Sequence, residues 1–128
     1  MKQPKILIVD DDAKLSKLMH VILEKAGGFE VREENRSFAA LASAREFRPD
    51  LVLLDVDMPG KDGGEVRAEL AADPALKNTP VLFVTSLVAR SDVTGTTVFR
   101  GGQHYLPKPV LPRALIDTVR MMLNSAAA

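Results

Sequence analysis

The sequence predicts an α/β fold, a doubly wound five-stranded parallel sheet with helices on both faces. Three observations support this. Runs such as Ile6-Leu7-Ile8-Val9, Leu51-Val52-Leu53-Leu54 and Val81-Leu82-Phe83-Val84 are short and uniformly apolar, as strands buried on both faces are. Segments with helical spacing of apolar residues alternate with them, which favours right-handed crossovers between parallel strands. The runs also end in chemically active groups: Asp10-Asp11-Asp12, Asp55, Thr85-Ser86, and Lys108 beyond Tyr105-Leu106. The carboxyl edge of an open α/β sheet is where ligands are placed.

Taken in order, Ile6 to Val9 is the first strand, and Asp12 caps the helix after it. In that helix Leu15, Leu18, Met19, Ile22 and Ala26 form the apolar stripe, and Gly27-Gly28 ends it. Phe29 to Arg32 alternates as a half-exposed strand does. Ser37 is placed as the cap of an alanine-rich helix ending near Phe47, with Phe38, Leu41 and Ala42 inward. Leu51 to Leu54, bounded by Pro49 and Pro59-Gly60, is the central strand. Lys61-Asp62-Gly63-Gly64 turns into a helix with Val66 and Leu70 inward, and Asp73-Pro74 breaks that helix. After the strand ending at Val84, residues 87–102 should hold a fourth helix. Its segment 92–98 consists of poor helix formers and gives up about 4–5 kcal/mol of propensity relative to alanine, so a short or irregular helix is expected. Tyr105-Leu106 is a last short strand, placed at the sheet edge because Pro107 lacks a ladder donor. Pro112 opens a final helix with Leu115, Val119 and Met122 inward, and residues 125–128 read as a tail.

A chain of 128 residues, 46% hydrophobic and 27% charged, suits one domain with one core. Zero formal net charge gives no global attraction to nucleic acid or anionic membrane. The absence of cysteine excludes disulfides and thiolate metal sites. No apolar run approaches the roughly 18 residues of a spanning helix. Together these point to a cytoplasmic protein with no membrane partner and no direct nucleic-acid contact.

Asp10, Asp11 and Asp55 would meet at neighbouring strand ends. Two unit charges about 5 Å apart at an effective dielectric of 20 repel by roughly 3 kcal/mol. Lys108 alone cannot balance three carboxylates. A hard divalent ion can, and Mg²⁺ suits an all-oxygen site with few protein ligands. The carbonyl of Asp57 lies within sequence reach of the same ion. A carboxylate beside a metal, a hydroxyl and an ammonium group suits phosphoryl transfer to aspartate.

These motifs, ILIVDDD at 6–12, PDLVLLDVDMPGKDG at 49–63, PVLFVTS at 80–86 and YLPKP at 105–109, resemble the receiver domain of two-component response regulators over nearly the whole chain. The resemblance implies a flavodoxin-like (βα)5 sheet in strand order 2-1-3-4-5, with the domain at 1–124. It implies that Asp55 is the phospho-acceptor and that Asp10 and Asp11 position Mg²⁺ together with the Asp57 carbonyl. Thr85 would move to the phosphate, Tyr105 would be the aromatic switch, Lys108 would contact the phosphate, and the Lys108-Pro109 bond would be cis. A histidine kinase or phosphotransfer protein would be the donor, and the surface around the fourth helix, fifth strand and last helix would engage an unknown output protein. The chain would be a monomer or weak homodimer. Such a domain catalyses only its own phosphorylation and dephosphorylation. Two features depart from the family pattern: Val110 stands where a bulky aromatic is usual, and the fourth helix is rich in threonine and glycine.

Other readings compete. Asp55-Val56-Asp57 also resembles the nucleophile motif of haloacid-dehalogenase-like phosphatases, although there it normally lies on the first strand. A phosphorylation-independent interaction module on the same fold is a third reading. Asp62 is read as loop solvation, Ser86 as spacing, His20 as an exposed residue on a polar flank, and His104 as solvent-facing before the last strand.

Overall fold

The computed structural model describes residues 2–86 and 98–127. Its strands are β1 (Lys5–Val9), β2 (Glu30–Glu34), β3 (Leu51–Asp55), β4 (Val81–Thr85), β5 (Val98–Arg100) and β6 (Gln103–Pro107). Its helices are α1 (Ala13–Ala26), α2 (Ala40–Phe47, entered through a 3-10 turn at Ser37–Ala39), α3 (Gly63–Ala72) and α4 (Pro112–Ala127). The strands form one sheet in the order β2-β1-β3-β4-β6-β5. Five of them are parallel and keep the expected order, with β6 in the place of the fifth. Among the described residues no helix is long and apolar enough to cross a membrane.

Strand alternation divides the core between the two faces. Ile6, Ile8, Leu51, Leu53, Leu82, Val84 and Leu106 pack with Met19 and Leu23 of α1 and Leu115 and Val119 of α4. Leu7, Val9, Val52, Leu54, Val81 and Phe83 pack with Ala44 and Phe47 of α2 and Val66 and Leu70 of α3. This two-sided burial is why the runs are apolar throughout, and β3 is buried along its whole length. β2, at one rim of the sheet, instead carries Glu30, Arg32 and Glu33, charges that discourage pairing with another chain.

The other side of the sheet departs from expectation. Val98–Arg100 is a strand, antiparallel to β6, with Val98 opposite Tyr105 and Arg100 opposite Gln103. The two are joined by Gly101-Gly102, both at positive φ (56° and 80°), as a two-residue hairpin turn matched to strand twist requires. Valine and phenylalanine favour strand, so Val98-Phe99 at the end of the stretch forms β structure. The expected fourth helix otherwise falls on 87–97, outside the described residues. β6 is therefore not the edge strand. β5 covers only Gln103 to Tyr105, so Pro107 lies beyond the covered stretch and its missing N–H interrupts no pair with β5.

Some inward faces also shift. Leu18 is half exposed, and Ser16 is fully buried in α1 instead. Phe38 is 70% exposed because it lies in the 3-10 turn, where helical spacing does not apply. Its ring lies 5.6 Å from the Arg36 guanidinium. Ser37 is buried and does not cap α2. Asp62 is more than loop solvation: it caps α3, accepting from Glu65 N–H (2.9 Å) while Glu65 accepts from Asp62 N–H (3.3 Å), a reciprocal capping box. α4 continues through Ala127, into the segment read as a tail.

Gly63 begins α3 directly against the end of β3. A Cβ built there would stand 2.6 Å from the Asp55 carbonyl oxygen and 2.8 Å from Val56 Cα. Its N–H also bonds the Val56 carbonyl at 2.8 Å. Gly63→Ala is expected to cost about 1–3 kcal/mol, the range for overpacking. Gly64→Ala meets only the Asp62 side chain at 3.3 Å and should cost less than 1 kcal/mol. Urea denaturation of the two variants checks the contrast.

Candidate functional site

The register brings the singled-out groups to one edge. Asp10 and Asp55 lie one step beyond the Val9–Leu54 pair of β1 and β3. Thr85 ends β4, paired with Pro107 of β6, and its carbonyl accepts from Lys108 N–H at 2.9 Å. Asp10, Asp55 and Thr85 are all buried, whereas Asp11 is exposed. Each of Asp10, Asp11 and Asp55 offers a carboxylate oxygen within 4.8 Å of the others.

Lys108 Nζ donates to Asp55 Oδ1 at 3.1 Å and lies 3.9 Å from Asp10 Oδ2. The Lys108-Pro109 peptide is cis. Asp57, exposed beyond the strand end, donates its N–H to Asp55 Oδ1 at 3.4 Å. The Tyr105 ring stacks on Phe83, the residue beside it on β4, with centroids 5.4 Å apart. Asp12 caps α1 through Lys14 and Leu15 N–H.

Electrostatics marks Asp10. Burial pushes its carboxyl up from 3.8 to about 6. A hydrogen bond from Asp12 N–H opposes this, Asp55 adds to it, Lys108 opposes it and Asp11 adds to it. Its Oδ2 is buried and accepts no hydrogen bond, which is costly in a low-dielectric site. An orphaned carboxylate oxygen beside two further carboxylates fits a hard divalent cation, and the donors are all oxygen.

Around this edge lie polar residues that the sequence did not single out for the site. Ser37 Oγ donates to the Pro59 carbonyl (3.0 Å) and accepts from Lys61 N–H (3.3 Å), pinning the loop after β3. Asn35 Nδ2 donates to the Asp10 carbonyl and to Ser16 Oγ, both at 2.8 Å. Glu34, buried at the end of β2, receives Ser43 Oγ at 2.5 Å and the Arg36 side chain at 3.2 Å. Burial raises its carboxyl, but these hydrogen bonds outweigh burial and hold it below the usual range. None of these residues belongs to a motif that announces chemistry. The only hint is an Asn one step past the acidic end of β2, at the site edge.

Both histidines differ from expectation. His20 is partly buried, with Nδ1 2.6 Å from Glu33 Oε2 and Nε2 3.4 Å from Glu24 Oε2. His104 lies within β6, its ring against Phe99 at 4.6 Å, with Nδ1 buried and without a hydrogen bond.

The family model of the response regulator receiver domain matches residues 6–120. The chain is 36% identical over 120 residues to the DNA-binding response regulator MtrA of Mycobacterium tuberculosis, covering 94% of this chain and 50% of that protein. It thus spans about half the length of the MtrA relatives it matches. It is 34% identical over 122 residues to the polar-differentiation response regulator DivK of Brucella anthropi, covering 94% of this chain and 97% of that one. A putative response regulator from Chloroflexus aurantiacus superposes with a TM-score of 0.81 at 29% identity, covering 96% and 99% of the two chains. The chemotaxis response regulator CheY4 of Vibrio cholerae gives 0.80 at 29%, covering 94% and 99%. With the family model matched along almost the whole chain and an acidic cluster at the carboxyl edge of the sheet, consistent with a phospho-accepting aspartate switch, the chain belongs to the response regulator receiver domain family.

Proposed function

We propose that Asp55 is the residue phosphorylated, that Mg²⁺ is the ion held beside it, and that a sensor histidine kinase or a histidine phosphotransfer protein is the donor. One observation carries this reading: buried Asp55 has carboxylate oxygens of Asp10 and Asp11 within 4.8 Å and the Lys108 ammonium 3.1 Å from its Oδ1. A carboxylate oxygen of Asp55 attacks the phosphorus, the phosphorus–nitrogen bond to the donor histidine breaks with its electron pair going to nitrogen, and the released imidazole takes a proton from water. The new acyl phosphate later loses its phosphoryl group to water, which regenerates the carboxylate.

The chain's own groups orient these steps. Lys108 and the Asp57 N–H hold Asp55 through one oxygen, and the ammonium sits where charge builds on the transferring group. Asp10, Asp11 and the Asp57 carbonyl are the assigned metal ligands, with Asp55. Bound Mg²⁺ would supply charge neutralisation for the phosphoryl oxygens. Thr85, buried at the end of the adjacent strand, is assigned to a phosphoryl oxygen once the group is in place. Tyr105, stacked on Phe83 two residues before Thr85, is assigned as the side chain that follows Thr85 and alters the surface around β6 and α4. That surface would engage the output partner. The names of MtrA and DivK give two different settings for such a switch, DNA binding in one and polar differentiation in the other.

Asp55→Asn is expected to remove phosphoryl incorporation from a phosphorylated histidine donor or from acetyl phosphate in the presence of Mg²⁺. Radiolabel retained on that variant at the native level would assign the acceptor elsewhere.

The raised carboxyl of Asp10 has a consequence for the metal-free chain. The folded-state value near 6 lies above the unfolded value of 3.8, so ionised Asp10 costs the fold stability above about pH 6, and this cost vanishes below about pH 4. Asp10→Asn should therefore stabilise the fold in chelator at about pH 7.5 by roughly 1–3 kcal/mol, seen as a higher melting temperature, and gain much less at about pH 4.5. Mg²⁺ should raise the melting temperature of the native chain more than that of the variant. Calorimetry at both pH values checks both outcomes.

A further inference from the structure

Beyond the motif residues, the acidic pair is held by a polar chain that reaches it from β2 and α1. We infer that Asn35 is a positioning residue for the metal-binding edge and that buried Ser16 sets its orientation. The inference rests on the metal reading above.

The Asp10 carbonyl belongs to the peptide that joins Asp10 to Asp11, the two residues assigned to the metal. That peptide follows the last residue of β1, so no strand pair beyond Val9 fixes it. On one side Asp10 N–H donates to the Glu34 carbonyl at 3.1 Å. On the other its carbonyl accepts from Asn35 Nδ2 at 2.8 Å. Both contacts come from the end of β2 and the residue after it. Together they fix the direction in which Asp11 leaves the strand.

The orientation of the Asn35 amide is not ambiguous. A backbone carbonyl can only accept, so the atom facing Asp10 is the nitrogen. Its second hydrogen reaches Ser16 Oγ, also at 2.8 Å, so both amide donors are engaged. Ser16 Oγ accepts there, and its own hydrogen is left to donate. Glu33 Oε1 at 2.9 Å and the Ala13 carbonyl at 3.1 Å are the acceptors in range, and the carboxylate is the stronger. Glu33 in turn is fixed through Oε2 by His20 Nδ1 at 2.6 Å. Every link runs donor to acceptor without conflict, from the His20–Glu33 pair through Ser16 and Asn35 to the Asp10–Asp11 peptide. This also gives a polar serine, fully buried on the inner face of α1, a function that packing alone does not require.

The test is calorimetric titration of Mg²⁺ into the native chain, Asn35→Ala, Asn35→Leu, Ser16→Ala and the Ser16→Ala/Asn35→Ala double variant, with thermal melts of each. Asn35→Leu keeps most of the volume and removes both donors, which separates hydrogen bonding from packing. The expected result is Mg²⁺ binding weaker by about three- to ten-fold in both Asn35 variants, at or below the range for partners that bond a ligand directly. Melting temperatures in chelator should change little. Ser16→Ala should weaken binding less, and the double variant no more than Asn35→Ala, because Ser16 acts through Asn35. Native affinity in folded Asn35→Ala and Asn35→Leu would overturn the positioning role alone. Additive losses in the double variant would overturn the assigned part of Ser16. A native chain that takes up no Mg²⁺ would overturn the metal reading, and this inference with it.

Discussion

Two carboxylates buried side by side at the end of a parallel sheet constrain the rest of this molecule. Asp10 follows the apolar run Ile6-Leu7-Ile8-Val9 and Asp55 ends β3 directly after Leu51-Val52-Leu53-Leu54, so the chain carries them out of water by continuing the core. Water cannot screen them well there, and one lysine is close to both. The mismatch is visible in the raised carboxyl of Asp10 and in its unbonded oxygen. A fold that served only its own stability would have apolar or neutral residues at these positions. The residues that would make the metal-free protein firmer are therefore not the ones present, and the electrostatic cost is concentrated at the edge where three carboxylates could together hold a cation.

The surroundings are built to keep that edge in register. Gly63 lets α3 begin against the backbone of Asp55, Ser37 ties down the loop after β3, and the reciprocal cap of Asp62 and Glu65 fixes where α3 starts. On the β1 side the equivalent work falls to Asn35, Ser16 and Glu34. The acid-bearing loops on both sides are thus held mainly by hydrogen bonds from small polar side chains and by one close backbone approach, while the apolar core beneath holds the strands.

Much of this was legible in the sequence, for a physical reason. Strands buried on both faces write themselves as uninterrupted Leu, Ile and Val, and a charged residue ending such a run stands out because burial makes it expensive. Asp10 and Asp55 were visible on those grounds, Thr85 and Lys108 through their places after the last two runs and the family resemblance, and the strand order through that resemblance. What the sequence concealed depends on contacts between distant residues. Asn35 and Ser16 are ordinary until β2 and α1 place them beside Asp10. Phe38 misled because a 3-10 turn shifts the helical spacing. His104 and Pro107 misled because the hairpin partner of β6 was itself unreadable: Val98-Phe99-Arg100 lay inside a stretch expected to be helical, although Gly101-Gly102 carried the turn signal.

That hairpin changes the position of the last parallel strand. With β4 along one side and β5 along part of the other, β6 is an interior strand over the stretch that includes Tyr105. Sliding or peeling it would break ladders on both flanks at once. The backbone there is clamped, and the freedom left to this part of the sheet belongs to rotation about side-chain bonds.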